Sequence, residues 1–244
     1  MTCIAVCSGK GSPGATFVAV NLANALAKAG RRPVFLDLDP HGGDVAAYLG
    51  LDPRKGLWPL GLVGPGKYSP QALLGEIDER CGIRCIAGFP RASDASAEVL
   101  HNILSSSSSR NHLVVADLGR VDERVAEVAA GADLILVVVR PDLVSTFGAE
   151  RAREALLSAG ANPSRMRLVT NAFEWRHAAE AAEVASAVGI ASIAMIPLNR
   201  RGARRALEAQ TPVGGRRLAK AFGELAGAVL KQAAATRNQE VSIG

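Results

Sequence analysis

The stretch that decides the fold is residues 3–16, which read CIAVCSGKGSPGAT. Its first residues are apolar and predict a strand over Cys3–Cys7. A glycine-rich turn follows, and a helix is predicted over Thr16–Ala29. A strand, a glycine-rich turn and a helix N-terminus direct unpaired backbone N–H groups at one point, and such a point binds anions. The segment from Ser8 to Thr16 is therefore predicted to be a phosphate loop.

Short β-branched runs alternate with alanine- and leucine-rich helical stretches along the rest of the chain. Leu134–Val139 is a continuous apolar run, which is typical of a strand covered on both faces. This alternation predicts a three-layer α/β fold, with a mostly parallel central sheet and helices on both faces. We expect one domain over residues 1–244, with a polar tail over about 236–244.

Several other segments are predicted to be loops or helices. Trp58–Pro70 is rich in glycine and proline and predicts a loop, while Ser69–Arg80 predicts a helix. Ser93–Leu104 predicts a helix, and the serine run Ser105–Ser109 after it predicts a surface loop. The closing helix is predicted over Arg216–Ala234.

Composition excludes several classes of protein. Hydrophobic residues make up 48% of the chain and charged residues 21%, which favours a large aliphatic core over disorder. Aromatic residues make up only 4%, so stacking platforms for single-stranded nucleic acid are not expected. The formal charge of +5 permits contact with nucleic-acid phosphates without requiring it.

The sequence also indicates where the protein is located and which state its cysteines adopt. No signal peptide is recognised, and no apolar run is long enough to cross a bilayer. We therefore expect a cytoplasmic protein, polar or nucleoid-associated in its placement, without stable membrane insertion. Cys3, Cys7, Cys81 and Cys85 lie in or beside predicted strands, which favours buried reduced thiols over a zinc site.

The loop departs from the usual pattern G-x-x-x-x-G-K-[ST] at one position, because Ala15 stands where the lysine is expected. The SGKG tetrapeptide, followed by Gly14 and Thr16, nevertheless resembles the deviant Walker A segment of MinD/ParA-type ATPases. In that family a signature lysine reaches across a nucleotide-sandwich dimer to the partner's phosphates, and Lys10 matches it. Thr16 stands where a hydroxyl holds Mg²⁺.

Later segments resemble the same family in the same order. FLDLDPHGGD at residues 35–44 is similar to the family's D-x-D-P segment. The resemblance implies that Asp39 positions the attacking water or a magnesium-bound water. The alternative is that Asp37 and Asp39 are turn-forming acids at the end of a strand. HLVVADLG at residues 112–119 resembles Walker B, which implies that Asp117 binds the water shell of Mg²⁺. LVTN, ending at Asn171, resembles the strand whose asparagine hydrogen-bonds adenine.

The C-terminal part completes the resemblance. IPLNR at residues 196–200 and ALEAQTPV at residues 206–213 match the family's closing motif, so that the resemblance spans roughly residues 2–232. The nucleotide-binding residues that it implies are Gly9, Lys10, Gly11, Ser12, Pro13, Gly14, Ala15, Thr16, Phe17, Asn171 and Pro197. The implied catalytic residues are Lys10 and Asp39, and Thr16, Asp39 and Asp117 are the implied magnesium residues.

Residues 37–51 look more like the CpaE/TadZ branch or an actinobacterial septum-site branch than like plasmid ParA. Longer CpaE/TadZ members carry an N-terminal receiver-like domain, which we expect to be absent because the chain begins at the ATPase strand. The resemblance implies a homodimeric positional switch that binds ATP and Mg²⁺ and places a pilus, secretion or division machine. Because Ala15 replaces the lysine, at most slow hydrolysis is expected.

Three alternatives stay open. A ParA-like partitioning ATPase would bind nonspecific DNA through basic C-terminal residues, and a nucleotide-free scaffold would keep the fold for protein contacts alone. A metabolic enzyme of the superfamily is disfavoured, since the cysteines do not follow strands where cluster ligands belong. The candidate DNA-binding residues are Arg200, Arg201, Arg204, Arg205, Arg216 and Arg217, with Lys220 beside them.

Overall fold

The first strand, β1 (Thr2–Ser8), is buried along its whole length because both of its faces are apolar. Ala5 and Cys7 point into one hydrophobic core, whereas Ile4 and Val6 point into a second core on the opposite side. Successive side chains of a strand alternate between faces, so an apolar run without polar interruption requires cover on both. This requirement places β1 between two layers of packed side chains.

In this computed structural model the described residues are 2–52, 54–57, 77–88, 96–110, 113–174 and 178–241. Their strands form one eight-stranded sheet with the order β3-β4-β2-β5-β1-β6-β7-β8. All neighbouring pairs are parallel except β3 and β4, which are antiparallel. The remaining strands are β2 (Val34–Asp37), β3 (Asp78–Arg80), β4 (Ile83–Ile86), β5 (Leu113–Arg120), β6 (Leu134–Val139), β7 (Met166–Phe173) and β8 (Ser192–Pro197).

Helices cover both faces of the sheet, as the alternation of strands and helices predicts. The helices are α1 (Ala15–Lys28), α2 (Val45–Leu49), α3 (Ala97–Arg110), α4 (Glu123–Ala130), α5 (Leu143–Ser158), α6 (Ala178–Val188), α7 (Arg200–Glu208) and α8 (Arg216–Val241). Residues of α3 to α6 pack in one core, and residues of α1, α2, α7 and α8 pack in the other. The predicted three-layer α/β fold is confirmed. Among the described helices, none combines the length and apolarity needed to span a membrane.

Two local predictions are wrong. The helix predicted over Ser69–Arg80 is contradicted at its end, where Asp78–Arg80 forms the charged edge strand β3; residues 69–76 lie outside the described part. The serine run is not a loop, because α3 continues through it to Arg110. Ser107 is 5% exposed and follows the core residues Leu100, Ile103 and Leu104 at helical spacing, so tertiary packing overrides weak helix propensity.

Two further predicted segments lie partly or wholly outside the described residues, and the closing helix is longer than predicted. The loop predicted over Trp58–Pro70 falls outside the described residues, as do residues 93–95 of the predicted helix. The closing helix extends beyond its predicted end at Ala234 to Val241, so that most of the predicted polar tail is helical. Because the parallel strands end at one edge of the sheet, the segments after β1, β2, β5, β6, β7 and β8 meet there.

Candidate functional site

The glycine-rich loop between β1 and α1 can turn tightly because some of its glycines stand where a side chain would not fit. Gly14 has φ 93°, a conformation that favours glycine, and it immediately precedes the first turn of α1. A Cβ atom built on Gly9 would lie 1.8 Å from the carbonyl oxygen of Gly148 in α5. The loop backbone therefore packs directly on the backbone of α5, with no room for a side chain at Gly9.

Asn171 anchors the other side of the loop. Its Nδ2 donates a hydrogen bond of 2.8 Å to the carbonyl oxygen of Pro13, and a Cβ on Gly14 would come within 2.4 Å of the same nitrogen. Asn171 thus lies against the loop, and its adenine contact stays a prediction. Phe17 packs edge-on against Phe222 of α8 with ring centroids 5.7 Å apart, which joins α1 to the closing helix.

Asp117 is the buried carboxylate beneath the loop. It is fully buried in β5, its Oδ1 accepts a hydrogen bond of 3.2 Å from the backbone N–H of Gly119, and its side chain is hydrogen-bonded to Thr16. Its Oδ2 is buried and has no hydrogen-bond partner. Burial raises the pKa of Asp117 to about 7, although the hydrogen bonds from Thr16 and Gly119 act to lower it.

The two acidic residues at the end of β2 lie in different surroundings. Asp37 is fully buried and is paired in register with Asp117. It accepts a hydrogen bond of 3.2 Å from the backbone N–H of Val45. Burial and the charge of Asp117 raise the pKa of Asp37. Asp39 is half-buried and accepts a hydrogen bond of 2.8 Å from the backbone N–H of His41. Burial also raises the pKa of Asp39.

A cleft of about 520 Å³ collects these groups at the carboxyl edge of the sheet. Its lining comprises Ser8, Lys10, Gly11, Ser12, Pro13, Gly14, Ala15, Thr16, Phe17, Asp39, His41, Asp44, Tyr48, Gly119 and Arg120. A second pocket of about 240 Å³ shares Ser12, Pro13, Gly14, Phe17 and Tyr48 with the cleft. Its other lining residues are Arg140, Asn171, Ala172, Pro197, Leu198, Asn199, Arg200 and Ala203.

The residues that the sequence predicts as one site are therefore neighbours in space. Gly9 and Asp117 are not in the lining, but Gly9 supports the loop and Asp117 lies under it. His41, Asp44, Tyr48, Arg120 and Arg140 also line the cleft or the pocket and were not predicted. For Arg120 and Arg140 a signal exists in the sequence, since each stands at or just after the end of a strand.

The donor set fits Mg²⁺. Thr16 offers a hydroxyl at the start of α1, and Asp117 offers a buried, unpaired carboxylate oxygen beside it. Magnesium keeps several waters and binds phosphate oxygens together with one or two protein groups, so a larger protein cage is not required. Within the described part of the chain no group of three or more His, Cys, Asp and Glu side chains is arranged to hold a metal ion.

The predicted DNA-binding residues lie in α7 and at the start of α8. All of them are exposed, and Arg204 Nε also forms an ion pair of 2.7 Å with Glu208 Oε1 in the next turn. Arg200 differs from the others because it also lines the smaller pocket. The exposed set consists of Arg200, Arg201, Arg204, Arg205, Arg216, Arg217 and Lys220.

Comparison with known sequences finds related chains. A ParA model described as "NUBPL iron-transfer P-loop NTPase" matches residues 1–66. An uncharacterised protein of Mycobacterium tuberculosis is 30% identical over 197 residues, which cover 80% of this chain and 55% of that protein. The septum site-determining protein MinD of Thermotoga maritima is 25% identical over 177 residues, 70% of this chain and 64% of its own length. The chain thus spans 55% to 64% of the length of these relatives.

Solved structures share the fold over nearly the whole chain. A ParA family ATPase from Chlorobium tepidum superposes with a TM-score of 0.79 at 18% identity and covers 92% of this chain and 98% of its own. The MinD of Pyrococcus horikoshii, solved with Mg-ADP, has a TM-score of 0.77 at 20% identity and covers 96% of this chain and 98% of its own.

Proposed function

Because this chain has the fold of the MinD/ParA P-loop NTPases and resembles a MinD over 70% of its length, we propose that it binds ATP and Mg²⁺ as a positional switch. In this function the bound state dimerises and places a cellular machine of the pilus, secretion or division kind, with weak or absent hydrolysis. Relatives named septum site-determining protein MinD and antiactivator FleN support the regulatory class.

The observation that carries the proposal is the unpaired, buried Oδ2 of Asp117 next to the Thr16 hydroxyl. A buried carboxylate oxygen without a partner costs free energy, and a bound cation or its water shell removes that cost. The glycine-rich loop lies directly above, where backbone N–H groups at the start of α1 favour an anion. A magnesium–nucleotide complex supplies both charges at once.

The roles of the chain's own groups follow from this placement. The loop backbone holds the phosphates, Thr16 and Asp117 hold Mg²⁺ or its water shell, and Asp39 orients water at the cleft. The smaller pocket next to Asn171 and Pro197 accepts the base. Because Ala15 stands in place of the lysine, the loop lacks one positive charge that would neutralise phosphate. Mg²⁺, when bound, neutralises part of that phosphate charge. Weak binding and slow hydrolysis are the consequence.

An exposed apolar surface beside the loop supports the dimer. Leu143, Val144 and Phe147 of α5 are 70%, 63% and 50% exposed. The next residue, Gly148, is the one that packs on Gly9 of the loop. Exposed apolar side chains that lie together mark an interaction site, and Gly148 connects this surface to the loop. A second copy of the chain that covers this surface would therefore lie beside the loop.

Titration calorimetry with ATP and Mg²⁺ tests the proposal. We expect saturable binding within the millimolar range that weakens strongly when Mg²⁺ is removed, together with a nucleotide-dependent dimer in sedimentation. Asp117→Asn should abolish the Mg²⁺ dependence, while Asp52→Asn, at an acid paired with Arg54 outside the cleft, should leave it unchanged. Absence of binding at millimolar nucleotide, or equal dimerisation with and without ATP, would favour the nucleotide-free scaffold.

A second candidate function is nonspecific DNA binding, as in a partitioning ATPase, because α7 and the start of α8 expose a concentration of arginine. Replacing Arg201, Arg204 and Arg205 with alanine should then weaken duplex binding about equally for unrelated sequences. The slope of log affinity against log salt concentration should also become shallower, by about one for each DNA phosphate that the variant no longer neutralises. Unchanged affinity of the triple variant would show that these three arginines do not bind DNA, and no binding by the parent chain at low salt would rule this function out.

A further inference from the structure

Arg120 stands at the end of β5, where the strand departs from regular pairing. The register with β1 shifts between Val6 and Cys7, so that Val6 pairs with Asp117 and Cys7 pairs with Gly119. Gly119 has φ 63°, a left-handed conformation next to this bulge. Bulges redirect the side chains that follow them, and this one places Arg120 in the lining of the cleft.

The backbone around Arg120 is held firmly. Arg120 is paired in register with Ser8, the first residue of the loop, and the next N–H, that of Val121, donates a hydrogen bond of 2.8 Å to the carbonyl oxygen of Ser8. The Ser8 hydroxyl in turn shares its single proton between the carbonyl oxygens of Lys10 and Gly119, at 2.9 and 3.3 Å. The position of Arg120 relative to the loop is thus set by the sheet itself.

The guanidinium of Arg120 is an available cation. The side chain is exposed to the cleft, and within the described residues it makes no ion pair or hydrogen bond. Burial raises the pKa of Asp39, and the charge of Arg120 offsets a small part of that rise. Arg140, in the neighbouring pocket, differs because its Nε lies 3.7 Å from Asp142 Oδ2.

The cleft needs such a cation. Its lining contains Lys10 and Arg120 as side chains with a fixed positive charge, against Asp39 and Asp44, while Ala15 contributes none. A nucleoside triphosphate brings several negative charges, of which one Mg²⁺ neutralises two. Without Arg120 the lining would carry more acidic than basic side chains, and their net charge would oppose the attraction that the loop backbone offers to phosphates.

We propose that Arg120 binds the nucleotide phosphates and supplies the positive charge that Ala15 removes from the loop. The planar guanidinium presents paired N–H donors that match phosphate oxygens, so it forms bidentate contacts that an ammonium group does not. The positive charge thus comes from a side chain at the end of β5 rather than from one at the start of α1. This inference rests on the proposed function, since it requires that the cleft bind nucleotide.

The test measures the affinity for ATP, ADP and adenosine in the presence of Mg²⁺ by calorimetry. Arg120→Ala should weaken ATP binding roughly 10- to 100-fold, ADP binding less, and adenosine binding hardly at all. Arg120→Lys should recover part of the loss. Arg31→Ala, at an exposed arginine outside the cleft, is the matched control and should bind like the parent chain. Thermal unfolding of each variant confirms that it folds.

A double-variant cycle completes the experiment. In an Ala15→Lys background the loss caused by Arg120→Ala should shrink, because the restored lysine supplies the same charge. Equal ATP affinity of the parent chain and Arg120→Ala, or a loss as large for adenosine as for ATP, would overturn the role of Arg120 while leaving the proposed function intact. A parent chain that binds no nucleotide would overturn both.

Discussion

Ala15→Lys is expected to tighten the binding of ATP and Mg²⁺ by roughly 30- to 1000-fold, the equivalent of about 2–4 kcal/mol. Ala15 lines the cleft at the first position of α1, so a lysine there reaches the phosphates from the loop. A charge at this position also stabilises the charge that develops during phosphoryl transfer. Phosphate release should therefore rise above the level of the parent chain. Calorimetry and a phosphate-release assay measure the two effects.

The matched control for this prediction is Ala15→Met, which adds a long side chain without charge. It should leave nucleotide affinity near or below that of the parent chain, because bulk alone does not attract phosphate. If Ala15→Lys and Ala15→Met bind ATP equally, the absent lysine is not what limits this loop. If both variants lose affinity, the space above Ala15 does not admit a longer side chain.

Gly9→Ala is expected to lower the free energy of unfolding by about 3 kcal/mol and to abolish nucleotide binding. The added Cβ would lie 1.8 Å from the carbonyl oxygen of Gly148, and that oxygen belongs to the backbone of α5. A backbone atom cannot move away as a flexible side chain can, so the loop and α5 must separate. Urea unfolding and ATP titration of the variant measure the two losses.

Gly11→Ala is the control within the same loop. A Cβ at Gly11 has no neighbouring atom within 4 Å, and Gly11 does not adopt a positive φ. We expect this variant to unfold like the parent chain, within about 0.5 kcal/mol. Similar destabilisation of Gly9→Ala and Gly11→Ala would mean that loop flexibility, and not the contact with Gly148, is what alanine disturbs.

Much of the architecture follows from local pattern. The apolar run at Cys3–Cys7 predicts a strand, and the continuous apolar run at Leu134–Val139 predicts a strand covered on both faces; the latter is buried along its whole length as β6. Parallel strands end at one edge, so the predicted loop residues, Asp39 and Asn171 meet there even though the chain separates them widely. What these neighbours bind remains a prediction until nucleotide is titrated.

Two other features depend on contacts that residue propensities alone do not indicate. The serine run is helical because Ser107 continues the buried face that begins at Leu100, and the energy of that packing exceeds the weak preference of serine for loops. The segment at Asp78–Arg80 pairs with β4 as an edge strand, although its composition suggests a helix. The serine run is thus decided by packing in the tertiary core, whereas β3 is decided by a hairpin with β4, in which Cys81 and Gly82 both have positive φ.

The sequence by itself determined the fold class, the glycine-rich loop between β1 and α1 and the presence of Ala15 in it, because periodicity and glycine spacing are local properties of the chain. Only the tertiary structure decided that Gly9 packs on Gly148, that Asp117 keeps an unpaired oxygen beneath the loop, and that a bulge at Gly119 brings Arg120 to the cleft. Those properties arise from the register of β1 with β5 and from the packing of α5, and such long-range contacts leave no periodic signal in the sequence.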